Sequence, residues 1–189
     1  MSKSLINNLL KNEIKILSIN LQKFNSENFT KLCLVSKQKI KKGGKIIFFG
    51  NGGSASDSQH LATELTVRYK KDRKSIAAIS LATDTSALTA IGNDFGFEKV
   101  FSRQIEALGK KNDIFVAIST SGNSKNILEA LKFCKKKKFT TFALLGNKGG
   151  KAKKYVNYPI IFPKASTSVT QAMHITIGHV FCEYLEKTI

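Results

Sequence analysis

His60 and Glu64 stand four residues apart in a stretch of helical periodicity, so an imidazole and a carboxylate share one helix face. Toward the C-terminus, Gln171 and His179 lie eight apart, again near one face after two turns. Gathered at one place, the four would offer two imidazole nitrogens and two oxygens. That donor set suits Zn2+, with the amide as the less common ligand. A plainer reading stands beside it: His-x-x-x-Glu is commonly a surface or core pairing, and a histidine on an apolar helix is commonly a satisfied core residue. His174, between Met173 and Ile175, is assigned to the core on that ground. Glu64 and His179 are also the best general acid–base pair in the chain, because histidine titrates near neutral pH. Flanking a phosphosugar, they suit proton transfer between C1 and C2 through an enediol, an aldose–ketose isomerisation.

Two loops have the composition to hold such a substrate. Gly50-Asn51-Gly52-Gly53-Ser54-Ala55 joins an apolar strand pattern to a helical one and satisfies G-x-G-x-x-A. A dinucleotide site would also need an acidic residue at the end of the second strand, which instead reads Ile79-Ser80-Leu81-Ala82. The dinucleotide reading is therefore set aside. Two uses of the loop stay open: backbone approach to an anion at a helix N-terminus, or a tight turn with Ser54 as its N-cap. The second loop, Ser119-Thr120-Ser121-Gly122-Asn123-Ser124, brings four hydroxyls to free helical N–H groups. It suits a phosphate monoester without a P-loop lysine. A capping serine alone would leave three hydroxyls idle, and two such loops on neighbouring strand ends point to a phosphosugar pocket.

The elements that must position these groups follow from periodicity. Residues 1–42 carry no strand signal: Leu5, Ile6, Leu9, Leu10, Ile14, Leu17 and Leu21 recur at helical spacing, and a second helix is expected over about 27–42. These helices need a surface to cover, on their own domain or on another subunit. Residues 43–189 alternate short apolar strands with helices. Strands are expected at 45–49, 76–80, 113–118, 140–145 and 158–162. Helices are expected at about 54–68, 86–91, 97–108, from 124, and 168–187. The pattern is α/β, a parallel sheet covered on both faces, in a single domain spanning 1–189. Ligands of such sheets bind beyond the carboxyl ends of the strands, where both loops lie.

Composition narrows the partners. With 31 Lys+Arg against 13 Asp+Glu, the 189-residue chain carries a formal charge of +18. Nucleic acid, anionic lipid and phosphorylated metabolites are all compatible with that balance. Only Arg68, Arg73 and Arg103 are arginine, however, and the one dense run, Lys135–Lys138, reads as a solvated helix end. No helix-turn-helix, zinc finger or aromatic-interleaved basic strand accompanies the charge, so no nucleic-acid partner is expected. Cys33, Cys134 and Cys182 are widely spaced among apolar neighbours and read as reduced core thiols. The apolar runs fall far short of the roughly 20 residues that cross a bilayer, and the N-terminus lacks a signal-peptide h-region. A soluble, cytoplasmic protein with no membrane partner is expected.

The runs 50–65, Gly92-Asn93-Asp94-Phe95-Gly96-Phe97, Phe101-Ser102-Arg103-Gln104 and Ile118–Ser124 together resemble the sugar-isomerase (SIS) domain family, in its phosphoheptose isomerase branch. The resemblance covers essentially the whole chain. It implies a three-layer αβα sandwich with a five-stranded, parallel, flavodoxin-like sheet and an N-terminal helical extension. It implies conversion of sedoheptulose 7-phosphate to D-glycero-D-manno-heptose 7-phosphate, a step toward the heptose of bacterial lipopolysaccharide or capsule. Carried over by motif, substrate contacts fall on Asn51, Gly52, Gly53, Glu64, Asn93, Asp94, Ser119, Thr120, Ser121, Ser124 and Gln171. One Zn2+ per subunit would sit on His60, Glu64, Gln171 and His179, with Glu64 as base and His179 as partner acid. The family's homotetramer places active sites at subunit contacts. Asp94 also has a plain reading as a turn residue. One segment departs: where the family carries an acidic residue and then Arg-Ile-Gln-Glu-x-His, this chain has Ser168-Val169-Thr170-Gln171-Ala172-Met173-His174, keeping Gln171 but lacking the acid, arginine and glutamate. The rival reading is a non-catalytic SIS binding module of the replication-initiator-associated kind, which lacks the acid–base residues. Glu64, Ser121 and His179 favour the enzyme.

Overall fold

The computed structural model describes residues 2–189. Five strands, β1 (Ile46–Gly50), β2 (Ala78–Ser80), β3 (Ile114–Ser119), β4 (Thr140–Leu145) and β5 (Tyr158–Ile161), form one sheet in the order β2-β1-β3-β4-β5. Every pairing is parallel. Strand order reverses between β1 and β3, so a crevice opens beyond their carboxyl ends, between the loops that follow them.

Among the described residues, seven α-helices accompany the sheet: α1 (Ser2–Gln22), α2 (Glu27–Lys41), α3 (Gly53–Thr66), α4 (Thr85–Phe95), α5 (Val100–Leu108), α6 (Lys125–Lys136) and α7 (Thr167–Thr188). The pleat of β1 explains the layers. Ile46 and Phe48 face one apolar cluster with Leu32 of α2, Leu61 and Leu65 of α3, and Phe181 of α7. Ile47 and Phe49 face a second with Ile105 of α5 and Leu131 of α6. Strands buried on both faces read as continuous apolar runs, as here.

Several boundaries differ from the sequence expectation for local reasons. The strand expected from 76 begins at Ala78, because the Ile76 N–H donates to the Leu65 carbonyl at 3.0 Å and is drawn to the end of α3. The short helix expected at 86–91 extends over Thr85–Phe95: Asp84 caps it by accepting from the Ala87 N–H, and Gly96, at φ +86°, ends it. Ser54 is not an N-cap. Gly52 holds that position at φ +56°, and Ser54 lies buried inside α3. Lys135–Lys138 is exposed at the end of α6, and all three cysteines are buried, their thiols pushed up to about 12 by burial.

His174 is in the core as expected, edge-on to Phe162 with centroids 4.7 Å apart, but it is not satisfied: neither ring nitrogen has a partner. Burial pulls its pKa down to about 3. The unfolded chain, titrating near 6.5, then binds a proton that the native ring refuses, so stability falls as pH drops below about 6.5. Asp57, raised to about 6 by burial, works in the opposite direction. Replacing the ring isolates its share. His174→Leu is expected to lose roughly 2 kcal/mol less stability than the parent between pH 7 and pH 5, read by denaturant unfolding at both values.

Helix α1 is only half accommodated. Ile16, Leu17 and Leu21 pack on the core, whereas Leu5, Ile6, Leu9, Leu10 and Ile14 form an exposed apolar face. No helix among the described residues is long and apolar enough to cross a membrane.

Candidate active site on two helices

Helices α3 and α7 pack closely because Gly178 lacks a side chain. A Cβ there would lie 2.6 Å from both terminal carbons of Leu61, and the Cys182 sulfur sits 3.9 Å from the Leu61 carbonyl oxygen. This approach sets His60, next to Leu61, beside His179, next to Gly178. Their Nε2 atoms are 2.9 Å apart, and His60 Nε2 is 3.3 Å from Glu64 Oε1. Two imidazoles and a carboxylate thus converge, with one ligand atom from each lying within 4.8 Å of the others. His60 is half-exposed, with Glu64 and His179 more sheltered. Burial holds the His179 pKa below its ordinary value; the adjacent His60 acts in the same sense and Glu64 opposes it.

The donor set and its spacing fit a divalent metal. Atoms sharing a tetrahedral Zn2+ at 2.0–2.2 Å stand roughly 3.3 Å apart, close to the separations found here. Two ring nitrogens facing each other can also share a single proton, so the same arrangement supports acid–base chemistry. Gln171, expected as the fourth ligand, is placed elsewhere: its amide lies over Gly53, where a Cβ would collide with it. The eight residues from Gln171 to His179 correspond to about 12 Å along α7.

The two loops flank the crevice as their sequence positions require. Asn51 and Asn126 exchange a reciprocal pair of 2.8 Å amide hydrogen bonds, tying the glycine loop to the first turn of α6. In the hydroxyl loop, Ser119 Oγ accepts from the Gly122 N–H and Ser121 Oγ from the Asn123 N–H. Two of the four hydroxyls therefore also shape the loop, rather than all serving a ligand alone. Gly122 sits at φ +62° against the Gly149 backbone, a place no side chain can occupy. Ser124 caps α6 without a side-chain hydrogen bond, leaving its hydroxyl available. Beside Thr120 and Ser121 opens a cavity of about 230 Å3, walled also by Asn147, Lys164, Thr167 and Thr170.

Asn93 and Asp94 lie exposed on the last turn of α4, where Asn93 donates to Asp94 and neither bonds to another candidate. The hydroxyl loop and the imidazole–carboxylate group likewise share no hydrogen bond within one chain. Sequence reasoning missed Asn126, whose role is visible only through Asn51, and Lys164, whose place on the cavity wall comes from the β5–α7 connection. It also missed Asp57, a half-buried carboxylate on α3 with one oxygen unpartnered.

The family model described as SIS domain matches residues 11–146. The phosphoheptose isomerase of Campylobacter jejuni is 53% identical over 148 residues, covering 78% of this chain and 80% of that protein. That of Sulfurimonas denitrificans is 51% identical over 163 residues, 86% of this chain and 82% of that one. The structure of a phosphoheptose isomerase from Neisseria gonorrhoeae superposes with a TM-score of 0.89 at 36% identity, covering 99% of this chain and 100% of that chain. One from Francisella tularensis gives 0.90 at 28% identity, with 99% of each chain covered.

Proposed function

The chain belongs to the SIS domain family, in its phosphoheptose isomerase branch, and on that premise we propose that it interconverts sedoheptulose 7-phosphate and D-glycero-D-manno-heptose 7-phosphate. The observation that carries this reading is the convergence of the Glu64 carboxylate with the His179 imidazole across the α3–α7 contact. Glu64 removes a proton from C1 of the open-chain ketose, and the electrons shift to make the C1–C2 enediol. His179 supplies the proton that O2 acquires and takes the one that O1 loses. The Glu64 carboxyl exchanges its proton with solvent and delivers a proton to C2, which completes the aldose.

The phosphate is held by Ser119, Thr120, Ser121 and Ser124 with the free N–H groups of α6, in the manner of anions at helix N-termini. Lys164 adds the positive charge that hydroxyls lack. Asn51, Gly52 and Gly53 contact the sugar chain from the glycine loop, Gln171 contacts it from α7 beside Gly53, and Asn93 and Asp94 contact it from α4. The half-exposed His60, the uncovered α1 face and the separation of Asn93 and Asp94 from the other candidates support sites completed at subunit contacts in a homotetramer. The α1 face is the kind of contiguous apolar surface that marks such contacts.

One Zn2+ per chain would be held by His60, Glu64 and His179; bound there, it would polarise the hydroxyl and carbonyl oxygens of C1 and C2. Titration calorimetry of the metal-stripped protein is expected to show one Zn2+ per chain, and His60→Gln to weaken that binding at least about tenfold. Unchanged affinity in the variant would remove the metal assignment.

The decisive experiment is incubation with sedoheptulose 7-phosphate in D2O, followed by NMR. The aldose should accumulate with deuterium at C2. No conversion, with Zn2+ or without it, would overturn the isomerase reading.

A further inference from the structure

Residues 67–77, between α3 and β2, have no regular secondary structure, yet they are pinned at several points. The Glu186 carboxylate, 2% exposed, accepts from the Tyr69, Lys70 and Lys71 N–H groups at 3.0–3.1 Å. The Arg73 guanidinium donates to the carbonyls of Glu64 and Leu65, both at 2.8 Å, and its Nε lies 3.6 Å from Glu186 Oε2. Lys70 adds a 2.7 Å ion pair with Glu183. The product of this strapping is the position of one ring. Tyr69 lies nearly parallel to His179, with centroids 5.4 Å apart and planes 19° apart, while His60 meets the same imidazole edge-on at 5.1 Å and 65°.

We propose that Tyr69, cradled by Glu186 and Arg73, is a positioning residue that fixes the plane of His179 so that its Nε2 is held toward Glu64 and His60. An imidazole on a partly exposed helix face has free rotation about its side-chain bonds unless something blocks it. Here His60 bounds it at one edge and Tyr69 lies against one face, so two neighbouring rings restrict its rotation. Arg73 acts on the other partner, since it holds the carbonyl of Glu64 itself. One strap thus sets both members of the acid–base pair. The stacking needs the ring and not the phenol hydroxyl.

The inference rests on the acid–base reading of His179, and its test separates the two. Steady-state kinetics on sedoheptulose 7-phosphate would be paired with NMR of the imidazole protons, the His179 signals being assigned by their loss in His179→Gln. Tyr69→Phe keeps the stack and is expected to stay within about twofold of the parent in kcat. Tyr69→Leu removes it and is expected to lower kcat about tenfold with KM within about threefold, because a misplaced catalytic group costs rate rather than binding. In the same variant the His179 ring protons should move downfield as the neighbouring ring current is lost. Glu186→Gln, which touches neither ring, should shift them the same way to a smaller extent and reports on the cradle should Tyr69→Leu fold poorly. The proposal requires both the kinetic and the spectral change: either one without the other, or neither, overturns it. Full activity in His179→Gln would instead strike the acid–base reading itself.

Discussion

Glu64→Gln is expected to lower kcat by about a thousandfold while leaving the melting temperature almost unmoved. The substitution preserves size and one oxygen but removes the charge that accepts a carbon-bound proton. Its structural cost is small because the carboxylate's one close side-chain contact is with the half-exposed His60 imidazole, at 3.3 Å, and partly exposed contacts of that kind contribute little to stability. His179→Gln should fall by a similar factor. The double variant should be hardly worse than either single one, since the two groups act on the same proton transfers and losses within a unit do not add. The measurement is the NMR conversion assay with thermal melts on the same samples. Full activity in both single variants would end the mechanism; lost activity accompanied by a collapsed melting temperature would assign these residues to the fold.

Gly178→Val should damage both stability and activity, and by different amounts. The new side chain must enter space held by the terminal carbons of Leu61, which is 1% exposed, so that side chain must shift within the packed core. Overpacking is partly offset by the loss of a helical glycine, for a net cost of about 2 kcal/mol. For a chain of this length the melting temperature should drop roughly 4–8 °C. Activity should suffer more, about a hundredfold, because pushing α7 off α3 by even 1 Å separates His179 from Glu64. Gly178→Ala should be intermediate in both. A valine variant with unchanged activity would mean that the close helix contact does not set the site.

Much of the architecture was legible in the chain. Apolar runs such as Ile46–Phe49 and Phe142–Leu145 could only be strands buried on both faces, and α7 carries its apolar stripe through Met173, Phe181 and Leu185. Where local chemistry competed with periodicity, boundaries moved. The Ile76 N–H was drawn to the Leu65 carbonyl, shortening β2, and Gly52 displaced Ser54 from the start of α3 because its φ of +56° is open to glycine and strained for serine.

The candidate site divides in the same way. Residue type and spacing by themselves determined that His60 and Glu64 share a helix face and that two polar loops follow strands. They also determined that a carboxylate–imidazole pair was available for proton transfer. These are properties of one helix or one turn, and helical and strand periodicity makes them readable. Only the tertiary structure decided that His60 meets His179 at 2.9 Å, that Gln171 lies over Gly53, and that Tyr69 covers the imidazole. Each depends on how closely two segments more than a hundred residues apart can approach. That distance is set by a missing side chain at Gly178 and by a buried Glu186, and neither leaves a periodic trace in the sequence.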